Sequence, residues 1–154
     1  MIRRFGEAVE SGRHYILRPG AYAVVTRPED GAILLTYQAD PDDEFQLPGG
    51  GIDAGESPIQ ALGREVTEET GWTIRGARRL GAYRRFTYMP EYDLWAEKLC
   101  TIFAAWPARH MGPPTEPGHT AHWVPNMQAL QLLANAGDRA FLRRSLGLSR
   151  HRRV

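Results

Sequence analysis

Residues 49–72 read GGGIDAGESPIQALGREVTEETGW, which sets Glu56, Glu65, Glu68 and Glu69 around a single arginine, Arg64. If residues 58–70 form a helix, each step turns about 100°. With Glu65 at zero, Glu69 falls at about 40° and Glu68 at about −60°, so the three carboxylates share a face roughly 100° wide. Leu62, Val66 and Ile59 fall at about 60°, 100° and 120°, an apolar stripe suited to packing on a sheet. The acidic face therefore lies at the edge of the core, where Glu56 can join it from the preceding loop. Carboxylates crowded in this way repel one another unless cations sit among them. As hard oxygen ligands they suit Mg²⁺ or Mn²⁺, ions that also bind phosphate oxygens. Arg64, one residue before Glu65 and four before Glu68, is placed to pair with and orient a glutamate.

The helix itself is marked at both ends. Ser57 suits the N-cap, Pro58 the first helical position, Gln60 the third position of a capping box, and Gly71 the stop. Upstream, residues 14–18 and 21–27 predict strands. The turn signal at residues 28–31 leads into a further strand over 32–38, so a hairpin is expected there. A short strand follows at 45–47, before the glycines. Downstream, β-type runs cover about 74–88 and 94–106, separated by a turn at 89–93. The four prolines of residues 107–118 predict a loop, 119–124 a last strand, 125–133 a helix and about 138–146 a second short helix. The pattern indicates one α/β domain over residues 1–154, a mixed sheet between helices, with a basic and flexible tail from about 147.

Composition adds bounds. A chain of 154 residues, 42 % apolar and 24 % charged, can bury one sizeable core. The net charge of +1 argues for neither DNA nor a membrane surface as partner. Lys98 is the only lysine and Cys100 the only cysteine, which excludes an intrachain disulfide. No run is long and apolar enough for a signal peptide or a membrane span, so a cytoplasmic location is expected.

Gly50, Glu56, Arg64-Glu65-Val66, Glu68-Glu69 and Gly71-Trp72 together resemble the signature of the Nudix hydrolases, Gly-x5-Glu-x7-Arg-Glu-aliphatic-x-Glu-Glu-x-Gly-aliphatic. Seven fixed identities, each with a background frequency of roughly 5–8 %, make a chance match about one in a million. Trp72 stands where the family usually has an aliphatic residue, and an indole fills that slot. The resemblance implies an α/β/α sandwich with a central mixed sheet. It also implies metal-dependent hydrolysis of a phosphoanhydride in a nucleoside diphosphate linked to another group, with two or more Mg²⁺ or Mn²⁺ ions bound alongside substrate. It assigns metal binding to Glu65, Glu68 and Glu69, to the carbonyl of Gly49, and to Glu56 as a further ligand. The general base is a signature glutamate in some members and a downstream acid in others; Glu97 and Glu116 are the downstream acids here, and either is a candidate to complete the metal site.

Tyr88 stands 16 residues beyond Trp72, a spacing associated in the family with dinucleoside polyphosphate hydrolases. With Arg84 and Arg85 it is expected to meet substrate, although one of those arginines must face away if they lie on a strand. Oxidised nucleoside triphosphates, ADP-ribose and nucleotide sugars are the other small substrates weighed, and 5′-triphosphorylated RNA is a rival that the arginines at 75, 78, 79, 84 and 85 would serve. A non-catalytic nucleotide sensor is a further reading, against which every signature glutamate is present. His119 and His122 receive no ligand role. Homodimers are common in the family.

Overall fold

The computed structural model describes residues 2–148. Eight strands and three helices follow one another as β1 (Arg3–Gly6), β2 (Ile16–Val25), β3 (Ile33–Gln38), β4 (Glu44–Gln46), β5 (Gly49–Gly51), α1 (Pro58–Thr70), β6 (Trp72–Met89), β7 (Leu94–His110), β8 (His119–Val124), α2 (Asn126–Leu132) and α3 (Ala136–Ser145). They form a five-stranded mixed sheet in the order β1-β6-β7-β2-β5 and a three-stranded antiparallel sheet in the order β4-β3-β8. In the larger sheet β2 runs parallel to β7, and β1 parallel to β6.

Helices cover both faces, which explains the unbroken apolar runs of β2 and β3. On one side Ala21, Ala23, Val25 and Leu34 pack with Leu62 and Val66 of α1. On the other, Val24, Ile33 and Leu35 pack with Phe141 and Leu142 of α3. Ile59, expected in the buried stripe of α1, is instead 49 % exposed. It belongs to the first turn, which lies beyond the apolar floor that Leu62 and Val66 reach.

The ends of α1 form as their residues dictate. Ser57 accepts from the Gln60 amide, the Gln60 side chain accepts from the Ser57 amide, and Gly71 closes the helix in the left-handed region at φ 77°. A side chain at Gly71 would also collide with the Gly112 carbonyl, 1.8 Å from where its Cβ would stand. Only glycine meets both demands.

Three expectations change. The two strands predicted over 14–18 and 21–27 are one strand, β2. The expected hairpin of β2 and β3 reduces to a single antiparallel bridge, Thr26 to Ile33, because each strand finds its partners in a different sheet. The prolines at 107–118 do not exclude strand throughout, since β7 runs on to His110 through Pro107. Register shifts in β6 between Trp72 and Ile74 and between Arg75 and Arg78 mark irregular pairing on either side of that proline.

Candidate active site

The glycine strand β5 lies antiparallel to β2, with Gly49, Gly50 and Gly51 opposite Tyr22, Ala21 and Gly20. Gly50 packs on the carboxylate of Glu65, so closely that a Cβ there would stand 2.5 Å from its Cδ. Gly49, at φ 150°, leaves only 2.2 Å between an added Cβ and the Ala21 carbonyl. Its amide donates to Glu69 Oε1 at 2.9 Å. The glycines thus bring the backbone of the sheet edge within reach of two glutamates on α1.

Arg64 organises the acidic end. It grips Glu56 with Nε (2.7 Å) and Nη2 (2.9 Å), and meets Glu65 at 2.9 Å and Glu68 at 3.4 Å through Nη1. Nη2 also approaches Asp53 at 3.4 Å and donates to the Gly51 carbonyl at 3.1 Å. Hydrogen bonding from Arg64, then from the Asp53 amide, holds the Glu56 carboxyl down at about 2. Both Glu56 oxygens are occupied by these donors. Glu56 is therefore placed as a partner of Arg64 more than as a ligand.

Burial pushes the Glu65 carboxyl upward against the pull of Arg64, and pushes Glu69 well up against the Gly49 amide, with neighbouring carboxylates adding to both. Glu69 is almost fully buried, and its second oxygen lies 3.7 Å from Nε2 of His119. The His119 ring is fixed by a 2.8 Å hydrogen bond between Nδ1 and Thr36 Oγ1, and burial lowers its pKa, so it stands neutral beside Glu69.

Of the two downstream acids, the structure brings Glu116 to the cluster and leaves Glu97 away from it. The amides of Thr115 and Glu116 both donate to the Glu68 carbonyl, at 2.8 and 2.9 Å, which pins the loop to the end of α1. Glu116 lines the same cleft as Glu65 and Glu69. Glu97 points to the opposite face of β7, where it pairs with Arg84 at 3.5 Å. Alternation along β6 decides the rest: Tyr83 and Arg85 face the cleft, while Arg84 and Tyr88 face away. Tyr88, expected at the substrate, instead donates its hydroxyl to Asp93 and packs on Trp95.

The cleft holds about 340 Å³ and runs from the acidic cluster across the large sheet to α3. Its floor contains a buried polar group absent from the sequence reading. Asp138 accepts from the Tyr83 hydroxyl at 2.6 Å and from the Leu47 amide at 3.3 Å, and burial pushes its carboxyl up. Asn135 caps α3 beside it, accepting from the Gly137 and Asp138 amides. Only the Asn-x-x-Asp spacing before a short helix hinted at this, and it reads equally as an ordinary cap.

The residues present fit divalent metal. The donor set is hard oxygen, Gly50 leaves space only for backbone against Glu65, and the crowded carboxylates raise one another's pKa, which a cation would relieve. Among the described residues no three acidic groups already converge on one point, and Arg64 holds both Glu65 and Glu68.

Comparison with known proteins identifies the family. The model of the NUDIX domain matches residues 16–145. Among curated relatives, a CMP-5′-(N-acetyl-N-hydroxy-3-aminopropyl)phosphonate hydrolase from Streptomyces rubellomurinus is 33 % identical over 133 residues, covering 83 % of this chain and 61 % of the relative. A putative 8-oxo-dGTP diphosphatase from Bacillus subtilis is 37 % identical over 76 residues, 49 % of this chain and 50 % of that one. The chain thus spans between half and two thirds of the length of these two relatives. The crystal structure of a MutT protein from Bacillus halodurans superposes with a TM-score of 0.68 at 24 % identity, covering 86 % of this chain and 84 % of that one. That likeness establishes the fold. Among the described residues no helix is long and apolar enough to cross a membrane.

Proposed function

The chain belongs to the Nudix family, and on that premise we propose that it hydrolyses a phosphoanhydride bond in a nucleoside diphosphate linked to another group. Dinucleoside polyphosphates and oxidised nucleoside triphosphates are the favoured substrate classes. The observation that carries the reading is the single cluster in which Glu65, Glu68, Glu69 and Glu116 stand beside the glycine strand with one arginine among them.

Each residue has a role that its contacts support. Glu65, Glu68 and Glu116, with the backbone of Gly49, would hold Mg²⁺ or Mn²⁺. Bound metal supplies neutralisation of the polyphosphate and a lowered pKa for the attacking water. Arg64 is a positioning residue: it orients Glu65 and Glu68 and is itself held by Glu56. Glu69, fixed by the Gly49 amide and buried beside the other glutamates, is suited by position to take the proton of the attacking water. Neutral His119 keeps that side of Glu69 from being paired by a permanent cation. The relatives' names describe a hydrolase of a cytidine nucleotide joined to a phosphonate and a diphosphatase of an oxidised nucleotide, both consistent with this class.

A substrate panel with Mg²⁺ or Mn²⁺ tests the proposal. It would hold dinucleoside polyphosphates, canonical and oxidised nucleoside triphosphates, ADP-ribose, nucleotide sugars and 5′-triphosphorylated RNA. Metal-dependent turnover of one nucleotide class is expected. Folded, metal-supplied protein that cleaves nothing across the panel would contradict it.

A further inference from the structure

At the other end of the same cleft, three cations lie side by side. Lys98 on β7 is in register with Arg85 on β6 and with Arg18 on β2, so one row of the sheet carries a positive charge on each of three adjacent strands. All three line the cleft and all three are half-buried. Cross-strand neighbours in register stand about 4.5–5.5 Å apart at Cβ, a distance at which like charges destabilise the pair. Arg64, by contrast, is surrounded by carboxylates.

The row has no such partners. Among the described residues none of the three takes part in an ion pair or donates a hydrogen bond from its side chain. The guanidinium of Arg18 lies over the Tyr92 ring, 4.7 Å from its centroid, which positions it without neutralising it. Asp138 on the cleft floor feels the charges of Arg85 and Lys98 but forms no ion pair with them, and both its oxygens are engaged by Tyr83 and Leu47. Asp42, Glu44 and Glu91 line the rim and pair with none of the three. Like charges held together in a cleft without internal partners mark a place where an anion binds.

Register also places the row relative to the acidic cluster. Arg18 is two residues along β2 from Gly20, which lies opposite Gly51, so the near end stands roughly 7 Å from the glycine strand. From there the row extends about 10 Å across two strand spacings. The scissile diphosphate belongs at the acidic cluster, so the row lies where a more distant part of the substrate would reach.

We infer that Arg18, Lys98 and Arg85 form a second anion subsite, and that the substrate carries a further phosphate or phosphonate on the group beyond the cleaved anhydride. This rests on the hydrolase reading for what is cleaved, but the subsite is a binding claim that stands or falls separately. Two synthetic ligands test it: a nucleoside diphosphate esterified to butanol, and the same compound esterified to 4-phosphobutanol. In uncleavable form, with a methylene in place of the bridging oxygen, each is titrated calorimetrically at low salt. The phosphorylated ligand is expected to bind wild-type protein at least tenfold more tightly. The ratio should fall below threefold in Lys98→Met and in Arg85→Met, and be restored by Lys98→Arg, with thermal melts verifying that each variant is folded.

Equal affinities for the two ligands in wild type would overturn the subsite, as would binding of neither, or a ratio that survives both methionine variants. The cleavable forms separate the two claims. If neither is hydrolysed with metal present while the affinity ratio holds, the hydrolase reading fails and the subsite remains.

Discussion

The two ends of the cleft are charged oppositely and built on different plans. At the acidic end, Arg64 stands against Asp53, Glu56, Glu65 and Glu68, all from one stretch of chain wrapped around the start of α1. One guanidinium is shared among four carboxylates there, and the site is held by hydrogen bonds made within that segment. At the basic end, Arg18, Lys98 and Arg85 come from three strands, brought together only by sheet register, and among the described residues none of them forms an ion pair. A locally built, self-paired site has its geometry set before anything binds, as chemistry requires. An unpaired row gains most when a ligand arrives, as binding requires. The contrast separates the residues expected to govern kcat from those expected to govern KM.

The largest expected effect concerns metal. Chelation should reduce turnover to background, and Mg²⁺ or Mn²⁺ should restore it, because the acidic end would otherwise present uncompensated carboxylates to a polyphosphate. Activity that survives exhaustive chelation would remove the acidic end from the chemistry. Next, Gly50→Ala places a methyl group 2.5 Å from the Glu65 carboxylate. It should lower kcat by about 10–100-fold, the usual cost of disturbing what orients a metal ligand, with the fold retained by circular dichroism.

Arg64→Met and Lys98→Met form the sharpest pair. Removing Arg64 leaves crowded carboxylates, and should cost about 1–2 kcal/mol, the low side for charged hydrogen bonds because the guanidinium is partly exposed. Removing Lys98 takes one charge from a like-charged row, so stability should change by less than about 0.5 kcal/mol. Denaturant titrations giving equal losses would erase the distinction between a paired and an unpaired end.

The same pair differs in pH dependence. The Glu56 carboxyl is held at about 2 against an ordinary 4.5, chiefly by Arg64. A depressed carboxylate contributes stability that is complete above the ordinary value and is lost as pH falls through the depressed one. The advantage of wild type over Arg64→Met should therefore be full at neutral pH and shrink as pH falls from 4.5 towards 2. No such trend is expected for Lys98→Met. Melting curves across that range decide it.

This contrast also explains what could be read from the residues alone. The acidic end was legible because cap, glycines, glutamates and arginine are contiguous, and the 3.6-residue repeat places Glu65, Glu68 and Glu69 on one face. Nothing comparable marked the basic end. Arg18 and Lys98 lie 80 residues apart in the chain, and only the parallel register of β2 with β7 joins them. The hairpin expected between β2 and β3 failed for the same reason, since a turn signal says that two strands are consecutive and not that they pair. Tyr88 and Arg84 went to the outer face of β6, and Arg85 to the cleft, by a strand parity that bulges make unreadable in advance. Glu116 reached the site through backbone bonds from its loop to the end of α1, which no motif records. The predicted basic tail falls mostly on residues 149–154, outside the described residues.

The most direct measurement is the steady-state kcat and KM of wild type, Glu69→Gln and Lys98→Met on whichever substrate the panel identifies. Glutamine can keep the bond from the Gly49 amide while losing the charge, so Glu69→Gln should lower kcat by about 100-fold or more with little change in KM. Lys98→Met should raise KM by about tenfold and leave kcat within a factor of about three, the pattern of lost uniform binding. Undiminished kcat in Glu69→Gln, or a loss of kcat in Lys98→Met as large as in Glu69→Gln, would contradict the division of the cleft into a reacting end and a binding end.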